Sequence, residues 1–237
     1  MPAAGRGERL GAGGPKALRH LHGEPLVVHA VRSLCAAAPV AQVVVAAPPD
    51  DVESVADILA QSLPGSAVSV VAGGPTRSRS VWAALRVLPR DVDVVLVHDA
   101  ARPLTPVGLV EAVDAAVRTG HPAVVPGLPV ADTVKQVRLE ADGLEQVTGT
   151  VDRSALRAVQ TPQGFDRTVL EQAYAAAEAA GELDATDDAG LVERLGRAVA
   201  VIPGDELAFK VTRPLDLALA DAVIARRADA HHPEDWA

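Results

Sequence analysis

The sequence predicts an α/β protein built on a mostly parallel sheet with helices on both faces. Three observations carry this expectation. Short valine-rich runs recur between longer stretches rich in alanine and leucine; those runs are largely apolar rather than alternating; and a glycine cluster or an aspartate follows two of them directly. A strand buried on both faces reads as a continuous apolar run, and regular alternation with helices makes the strands parallel.

The strand candidates are Gln42 to Ala46, Ala67 to Val71, Val92 to Val97, Ala123 to Val125 and Ala198 to Ile202, each a short run dominated by valine, isoleucine or alanine. Helices are expected at Pro25 to Ala37, Asp51 to Gln61, Ser78 to Val87, Pro106 to Arg118, Asp166 to Ala180, Asp187 to Leu195 and Pro214 to Ala228, where apolar and charged residues mix over longer spans. The segment from Val130 to Gln146 breaks the pattern, because polar and apolar residues alternate there and Asp142-Gly143 supplies a hairpin turn. A two-stranded ribbon is marginal alone in water, so something must pack on this one: a second subunit, or the chain's own sheet. Residues 1–229 are expected to form one domain, with the arm spanning about 130–153 and residues 230–237 a short mobile tail. The paired His231 and His232 in that tail are not expected to hold a metal.

Composition narrows the function. A chain of 237 residues with 49% hydrophobic residues has ample material for a core, and 2% aromatics mean that alanine, valine and leucine build it. A net charge of -9 argues against a nucleic-acid partner. Ligand phosphates must then be met by local cations. Cys35 is the only cysteine, expected as a buried and inert thiol, so no intrachain disulfide forms, in keeping with a cytoplasmic protein. No apolar run approaches the ~18–20 residues that span a membrane.

The first sixteen residues hold the strongest chemical signal. Pro2-Ala3-Ala4-Gly5-Arg6-Gly7-Glu8-Arg9-Leu10 is followed by a second glycine cluster and Pro15-Lys16. Small residues let backbone N–H groups approach a phosphate chain, and Arg9 and Lys16 add two cations. The pattern is neither of the two common phosphate loops, since Ala17 stands where a hydroxyl would follow the lysine and Leu10 where a third glycine would fall. Loops beyond the carboxyl ends of strands are where such sheets bind ligands, and Gly73 and Asp99 both follow strand candidates.

This loop resembles the signature of sugar-phosphate nucleotidyltransferases. Gly73-Gly74 with Arg77 and Ser80-Val81, Val97 to Arg102, Val151-Asp152-Arg153, Thr161-Pro162-Gln163, Thr186-Asp187 and Lys210 to Pro214 extend the resemblance, in order along the chain, to the 2-C-methyl-D-erythritol 4-phosphate cytidylyltransferases. The resemblance implies a Rossmann-like nucleotidyltransferase fold with a protruding β-hairpin arm, CTP and 2-C-methyl-D-erythritol 4-phosphate as substrates, Mg²⁺ held mainly by CTP phosphates, and a homodimer clasped by the arm. In that family several apolar residues precede the equivalent of Pro2, and here only Met1 does, so the start is expected to lie upstream.

The resemblance assigns roles to individual residues. Arg9 and Lys16 would stabilise charge on the transferred phosphorus and the leaving diphosphate, while Arg153 and Lys210 would grip and aim the acceptor phosphate. Asp99 and Thr186 would meet the acceptor hydroxyls, and Arg102, Thr133 and Thr161 would belong to the substrate-binding set. Ala3, Ala4, Gly5, Gly73, Gly74 and Ser80 would form the nucleotide pocket; Pro75, lacking an N–H, stands where relatives often carry an acid. Arg77 reads as a loop organiser and His98 as structural. Blander roles remain open on the residues alone: Asp99 or Thr186 as helix caps, Thr161 as a turn hydroxyl, Asp152-Arg153 as a surface pair. A phosphate monoester is largely a dianion at neutral pH and attacks without a base, so no Ser-His-Asp arrangement is required. A ribitol 5-phosphate cytidylyltransferase, another nucleotidyltransferase, and a non-catalytic nucleotide-binding module are the competing readings. Loss of Arg9, Lys16 or Lys210 would mark the last, and all three are present.

Overall fold

The computed structural model describes residues 1–5 and 15–229. The chain runs through β1 (His20–Leu21), β2 (Glu24–Pro25), α1 (Leu26–Cys35), β3 (Val43–Ala47), α2 (Val52–Ser62), β4 (Val68–Ala72), α3 (Arg77–Leu85) and β5 (Val94–Val97). It continues with α4 (Val107–Arg118), β6 (Ala123–Pro129), β7 (Lys135–Leu139), β8 (Glu145–Thr150), β9 (Arg157–Val159), β10 (Gln163–Asp166), α5 (Arg167–Ala180), α6 (Ala189–Arg194), β11 (Ala200–Pro203) and α7 (Pro214–Asp229).

The apolar runs become strands because both their faces are covered. All of β3 is buried, with Val43, Val45 and Ala47 in a cluster with Val28 and Val31 of α1 and Val55 and Leu59 of α2, and with Val44 and Ala46 packed on Ala84 of α3. In β5, Val95 and Val97 meet α3 and α5 through Leu85 and Leu170, while Val94 and Leu96 meet Val113 and Val117 of α4. Phe165 and Tyr174 are fully buried, and Tyr174 stacks on Trp82 at 5.4 Å between ring centroids.

β3 pairs parallel with β4, and β11 parallel with β6. β10 lies between β5 and β6, antiparallel to both, so β5 and β6 point the same way. The sheet is mostly parallel, as expected, with two reversed strands that the sequence reading missed, β10 and the short β9, which pairs antiparallel with the far end of β6. Gly164 of β10 lets α4 come close: a Cβ there would stand 2.5 Å from Cγ1 of Val113. The expected helices and strands otherwise appear within a few residues of their ends.

The arm also forms as expected. β7 and β8 pair antiparallel with each other, and among the described residues with no other strand, which overturns the alternative that the hairpin folds onto the chain's own sheet. Its turn holds Gly143 at φ 84°, and the Asp142 carboxylate accepts the Leu144 N–H at 3.0 Å. Val137 stands directly opposite Val147, and both are exposed, as are Leu139 and Leu144. Cys35 is half-buried rather than enclosed, and burial pushes its thiol pKa up. The histidine pair and the tail of residues 230–237 lie outside the described residues.

Candidate active site

Most of the predicted residues converge at the carboxyl ends of the parallel strands. Met1, Pro2 and Ala3 run beside β3, with the Ala3 N–H donating to the Ala46 carbonyl at 2.8 Å. This leads Ala4 and Gly5 to the loop that follows β4. Gly73 is glycine because a Cβ would meet Ala4 Cβ at 2.8 Å and Ser80 Oγ at 2.9 Å, and Gly74 because its Cβ would lie 2.5 Å from that of Arg79. Ser80 Oγ accepts the Gly74 N–H at 3.1 Å and donates to the Thr76 carbonyl at 2.9 Å, tying the loop to the first turn of α3. The Lys16 N–H donates to the Gly5 carbonyl at 3.1 Å, which brings this lysine to the same loop. Six predicted pocket residues and one predicted cation therefore meet in one place. Arg9 lies outside the described residues.

Asp99, two residues past β5, is the centre of a second cluster. Its Oδ1 meets Arg77 Nε at 3.0 Å, and its Oδ2 meets Lys210 Nζ at 2.8 Å and Arg102 Nε at 3.9 Å. Burial alone would raise its pKa, but Arg77 and then Lys210 overcome that and hold the carboxyl well below the usual carboxylate range. Arg77 also reaches the fully buried Asp188, its Nη2 lying 2.7 Å from Oδ2. Burial works against the Arg77 charge, but Asp188 and Asp99 outweigh it and raise its pKa. Three cations thus face two carboxylates, so the cluster is net positive inside an acidic chain. Arg77 Nη1 and Arg102 Nε are buried without a hydrogen-bond partner.

Thr161, expected at the substrate, has another job. It is buried, accepts the Asp99 N–H at 3.0 Å, and lies 3.0 Å from His98 Nδ1. Desolvation lowers the His98 pKa to about 4, so the ring is neutral; with Nε2 donating to the Arg102 carbonyl at 3.3 Å, Nδ1 must accept the Thr161 hydroxyl proton. Asp99 is therefore positioned by its neighbours and caps no helix, since α4 begins only at Val107. Arg77 organises two carboxylates, and the loop it was expected to organise is tied by Ser80 instead. Capping falls to Asp187 rather than Thr186: its Oδ1 accepts the Gly190 N–H at 3.0 Å, and its Oδ2 accepts from Gln163 Nε2 at 2.9 Å. Thr186 is exposed on a segment whose neighbours Ala185 and Asp188 are tied to Ser78 and Gln163.

Arg153 and Thr133 stand apart from this cluster. Arg153 is exposed in a short 3-10 turn and donates to the Ala131 carbonyl at the base of the arm, beside an open hollow lined by Pro129, Asp152 and Arg157. No hydrogen bond or ion pair among the described residues joins either to Asp99. The sequence reading missed Asp188, whose Oδ1 also accepts the Tyr174 hydroxyl at 2.5 Å. The signal was present in Thr186-Asp187-Asp188, a carboxylate pair that read only as the opening of a helix.

With this geometry in view, comparison with known proteins is decisive. The family model for 2-C-methyl-D-erythritol 4-phosphate cytidylyltransferase (IspD) matches residues 1–226. The chain belongs to this family. A 2-C-methyl-D-erythritol 4-phosphate cytidylyltransferase of Streptomyces avermitilis is 56% identical over 231 residues, covering 96% of this chain and 91% of the relative. One from Frankia casuarinae is 59% identical over 226 residues, covering 95% of this chain and 80% of its own length. Among solved structures, the Thermus thermophilus cytidylyltransferase superposes with a TM-score of 0.72 at 40% identity, covering 90% of this chain and 95% of that one. The 4-diphosphocytidyl-2C-methyl-D-erythritol synthase of Anaerococcus prevotii gives 0.80 at 26% identity, over 95% and 94%. Family membership selects a nucleotidyltransferase and sets aside the non-catalytic module. No helix among the described residues is long and apolar enough to cross a membrane.

Proposed function

We propose that the two clusters carry out the family reaction, transfer of a cytidylyl group from CTP to 2-C-methyl-D-erythritol 4-phosphate, giving 4-diphosphocytidyl-2-C-methyl-D-erythritol and diphosphate. The observation that carries the residue assignment is the junction of a small-residue loop holding Lys16 with a buried, net positive cluster around Asp99. The loop takes the nucleotide: backbone N–H groups and Lys16 meet the triphosphate, and Ala4 and Gly73 keep the pocket shallow. Lys210 and Arg102 draw the acceptor phosphate toward the α-phosphorus, and Asp99, pinned as an anion, orders those cations and accepts from acceptor hydroxyls. The acceptor phosphate oxygen attacks the α-phosphorus as the bond to the diphosphate oxygen breaks, so the electron pair leaves with diphosphate and no proton need move. Catalysis is then positioning and electrostatics.

A divalent cation fits this site as a passenger of the nucleotide. The nearest carboxylates, Asp99 and Asp188, are already engaged by Arg77 and Lys210, and no group of three His, Cys, Asp or Glu side chains among the described residues converges on one point. Triphosphate oxygens and water would supply its ligands, and when bound it neutralises charge on the triphosphate.

The arm supports a homodimer. Val137, Leu139 and Val147 are exposed on a ribbon that no other strand among the described residues supports, and two-fold association would cover both arms at once. Arg153 at the arm's base then serves the neighbouring subunit's site, which explains its distance from Asp99. The test of the reaction is diphosphate release across four nucleoside triphosphates with 2-C-methyl-D-erythritol 4-phosphate and ribitol 5-phosphate, with and without chelator. CTP with the methylerythritol substrate and free Mg²⁺ should be fastest; faster use of ribitol phosphate would move the assignment. Mixing Arg153→Ala with Lys16→Ala subunits should restore activity in heterodimers, and no recovery there would place Arg153 in its own subunit's site.

A further inference from the structure

Lys210 stands on a connection that has no strand ladder of its own. β11 ends at Pro203 and α7 begins at Pro214; between them the chain leaves the sheet, makes a short 3-10 turn at Glu206–Ala208 and brings Lys210 Nζ to 2.8 Å from Asp99 Oδ2. The turn is held from outside at its start by Gln160 and at its end by Arg102. The Gln160 side chain is buried, at 5% exposure, and pairs with both polar groups of one backbone residue: its Nε2 donates to the Asp205 carbonyl at 2.8 Å, and its Oε1 accepts the Asp205 N–H at 3.0 Å. A neighbouring strand would make the same two bonds, and a side-chain amide carries the donor and the acceptor that this requires. Gly204 makes room for it, since a Cβ there would press into Gln160 Oε1.

We propose that Gln160 is a positioning residue, whose amide sets the place of Lys210 against Asp99. Its own backbone is fixed to the sheet, with its N–H donating to the Pro126 carbonyl of β6 at 2.8 Å, so the side chain ties the turn to a rigid element. The effect travels by short steps. The Asp205 carbonyl that Gln160 holds also accepts the Ala208 N–H at 3.0 Å, which closes the 3-10 turn, and the Ala208 carbonyl accepts from Arg102 Nη1 two residues before Lys210. Just beyond Lys210, the Val211 N–H donates to the Ala101 carbonyl at 2.8 Å. Thr161, the residue after Gln160, accepts the Asp99 N–H. Consecutive side chains therefore hold the two halves of one salt bridge, Thr161 the carboxylate and Gln160 the ammonium, and under the function proposed above a shift of either moves the cation that draws the acceptor phosphate. An apolar residue of similar size would fill the same volume but leave the Asp205 backbone groups without this partner and the turn free to shift. Gln163 is the useful contrast: it too is a buried amide, but it bonds Asp187, Asp188 and Ala189, and none of these lies in the Lys210 turn.

The test uses Gln160→Met, Gln160→Glu and Gln163→Met in the full chain, at a temperature where each keeps the wild-type circular dichroism. The chain has three lysines, Lys16, Lys135 and Lys210, so acylation by acetic anhydride can be followed at each by mass spectrometry, with Lys135 on the exposed arm as the internal reference. Gln160→Met should raise acylation of Lys210 relative to Lys135 by about threefold or more, because the released turn lets the ammonium leave Asp99. Gln160→Glu, which keeps an acceptor for the Asp205 N–H but sets a second oxygen against the Asp205 carbonyl, should do the same. Both should lower kcat/KM for 2-C-methyl-D-erythritol 4-phosphate by ~10–100-fold and keep the CTP KM within about twofold of wild type, as misplacement of one aiming group predicts. Gln163→Met should leave Lys210 acylation unchanged. Wild-type acylation of Lys210 in both Gln160 variants would overturn the proposal, as would an equal rise in Gln163→Met, which would mean general loosening, or an equal loss of CTP affinity. The kinetic readout rests on the proposed reaction and the acylation readout does not. A wild-type chain that fails to use the methylerythritol substrate would therefore remove that function and leave Lys210 acylation to decide the role of Gln160.

Discussion

Replacing Arg77 by methionine should cost the fold about 3–5 kcal/mol, which is the usual effect of stranding a buried charge. Arg77 bridges Asp99 at 3.0 Å and Asp188 at 2.7 Å, and both carboxylates are buried. Each contact has a gross Coulomb energy of roughly 5 kcal/mol at an effective dielectric near 20, reduced by the desolvation of the guanidinium itself. Asp99 keeps Lys210 as a partner, whereas Asp188 keeps only the Tyr174 hydroxyl, so the penalty concentrates on Asp188. Urea unfolding followed by tryptophan fluorescence reads the result, and Trp82, stacked on Tyr174, is a reporter within this layer. Asp188→Asn in the Arg77→Met background should recover about 1–2 kcal/mol by removing the stranded charge. Arg77→Lys should fall between, because one ammonium cannot span two carboxylates. A loss under about 1 kcal/mol for Arg77→Met, or strict additivity in the double variant, would refute the reasoning.

Other outcomes follow from the same geometry. Lys16→Ala should lower kcat by ~10²–10³ with little change in acceptor KM, read by diphosphate release, as for loss of one preorganised contact to developing charge; Lys210→Ala should impair acceptor KM and kcat together. Stability should fall as pH drops from 8 to 5, since the unfolded amino terminus takes up a proton near its ordinary 8.0 and the buried one only near 5. That window is worth about 4 kcal/mol. His98, held near 4 instead of 6.5, adds in the same direction at lower pH, and flat unfolding free energies between pH 8 and 5 would contradict both assignments. Gly164→Ala should destabilise by about 1–3 kcal/mol, measured by thermal unfolding, because its Cβ would stand 2.5 Å from Val113 Cγ1.

The parallel strands were legible because burial on two faces writes itself as valine runs, and the arm because alternation around an Asp-Gly turn marks a ribbon with one apolar face. β10 was not. Gln163-Gly164-Phe165-Asp166 has no β-branched residue, and its strand character comes from β5 and β6 on either side. Asp99 and Lys210 could be picked out by resemblance, but their salt bridge joins loops far apart in sequence and has no local signature. Asp188 was visible only as half of a carboxylate pair, and what marks it out, the Arg77 guanidinium that meets it in the core, comes from far away in sequence. Thr161 was assigned to the substrate by resemblance, and the neutral His98 beside it shows that its proton is taken.

The reversed strand β10 has a kinetic consequence. Thr161 just before it holds Asp99 and His98, and Gln163 at its start holds Asp187 while accepting N–H bonds from Asp188 and Ala189. Both clamps close only when β10 slides between β5 and β6, a contact between segments distant along the chain and therefore slow to form. Ligand binding should therefore appear late in refolding, in step with the burial of Phe165 and after most of the helical signal has returned.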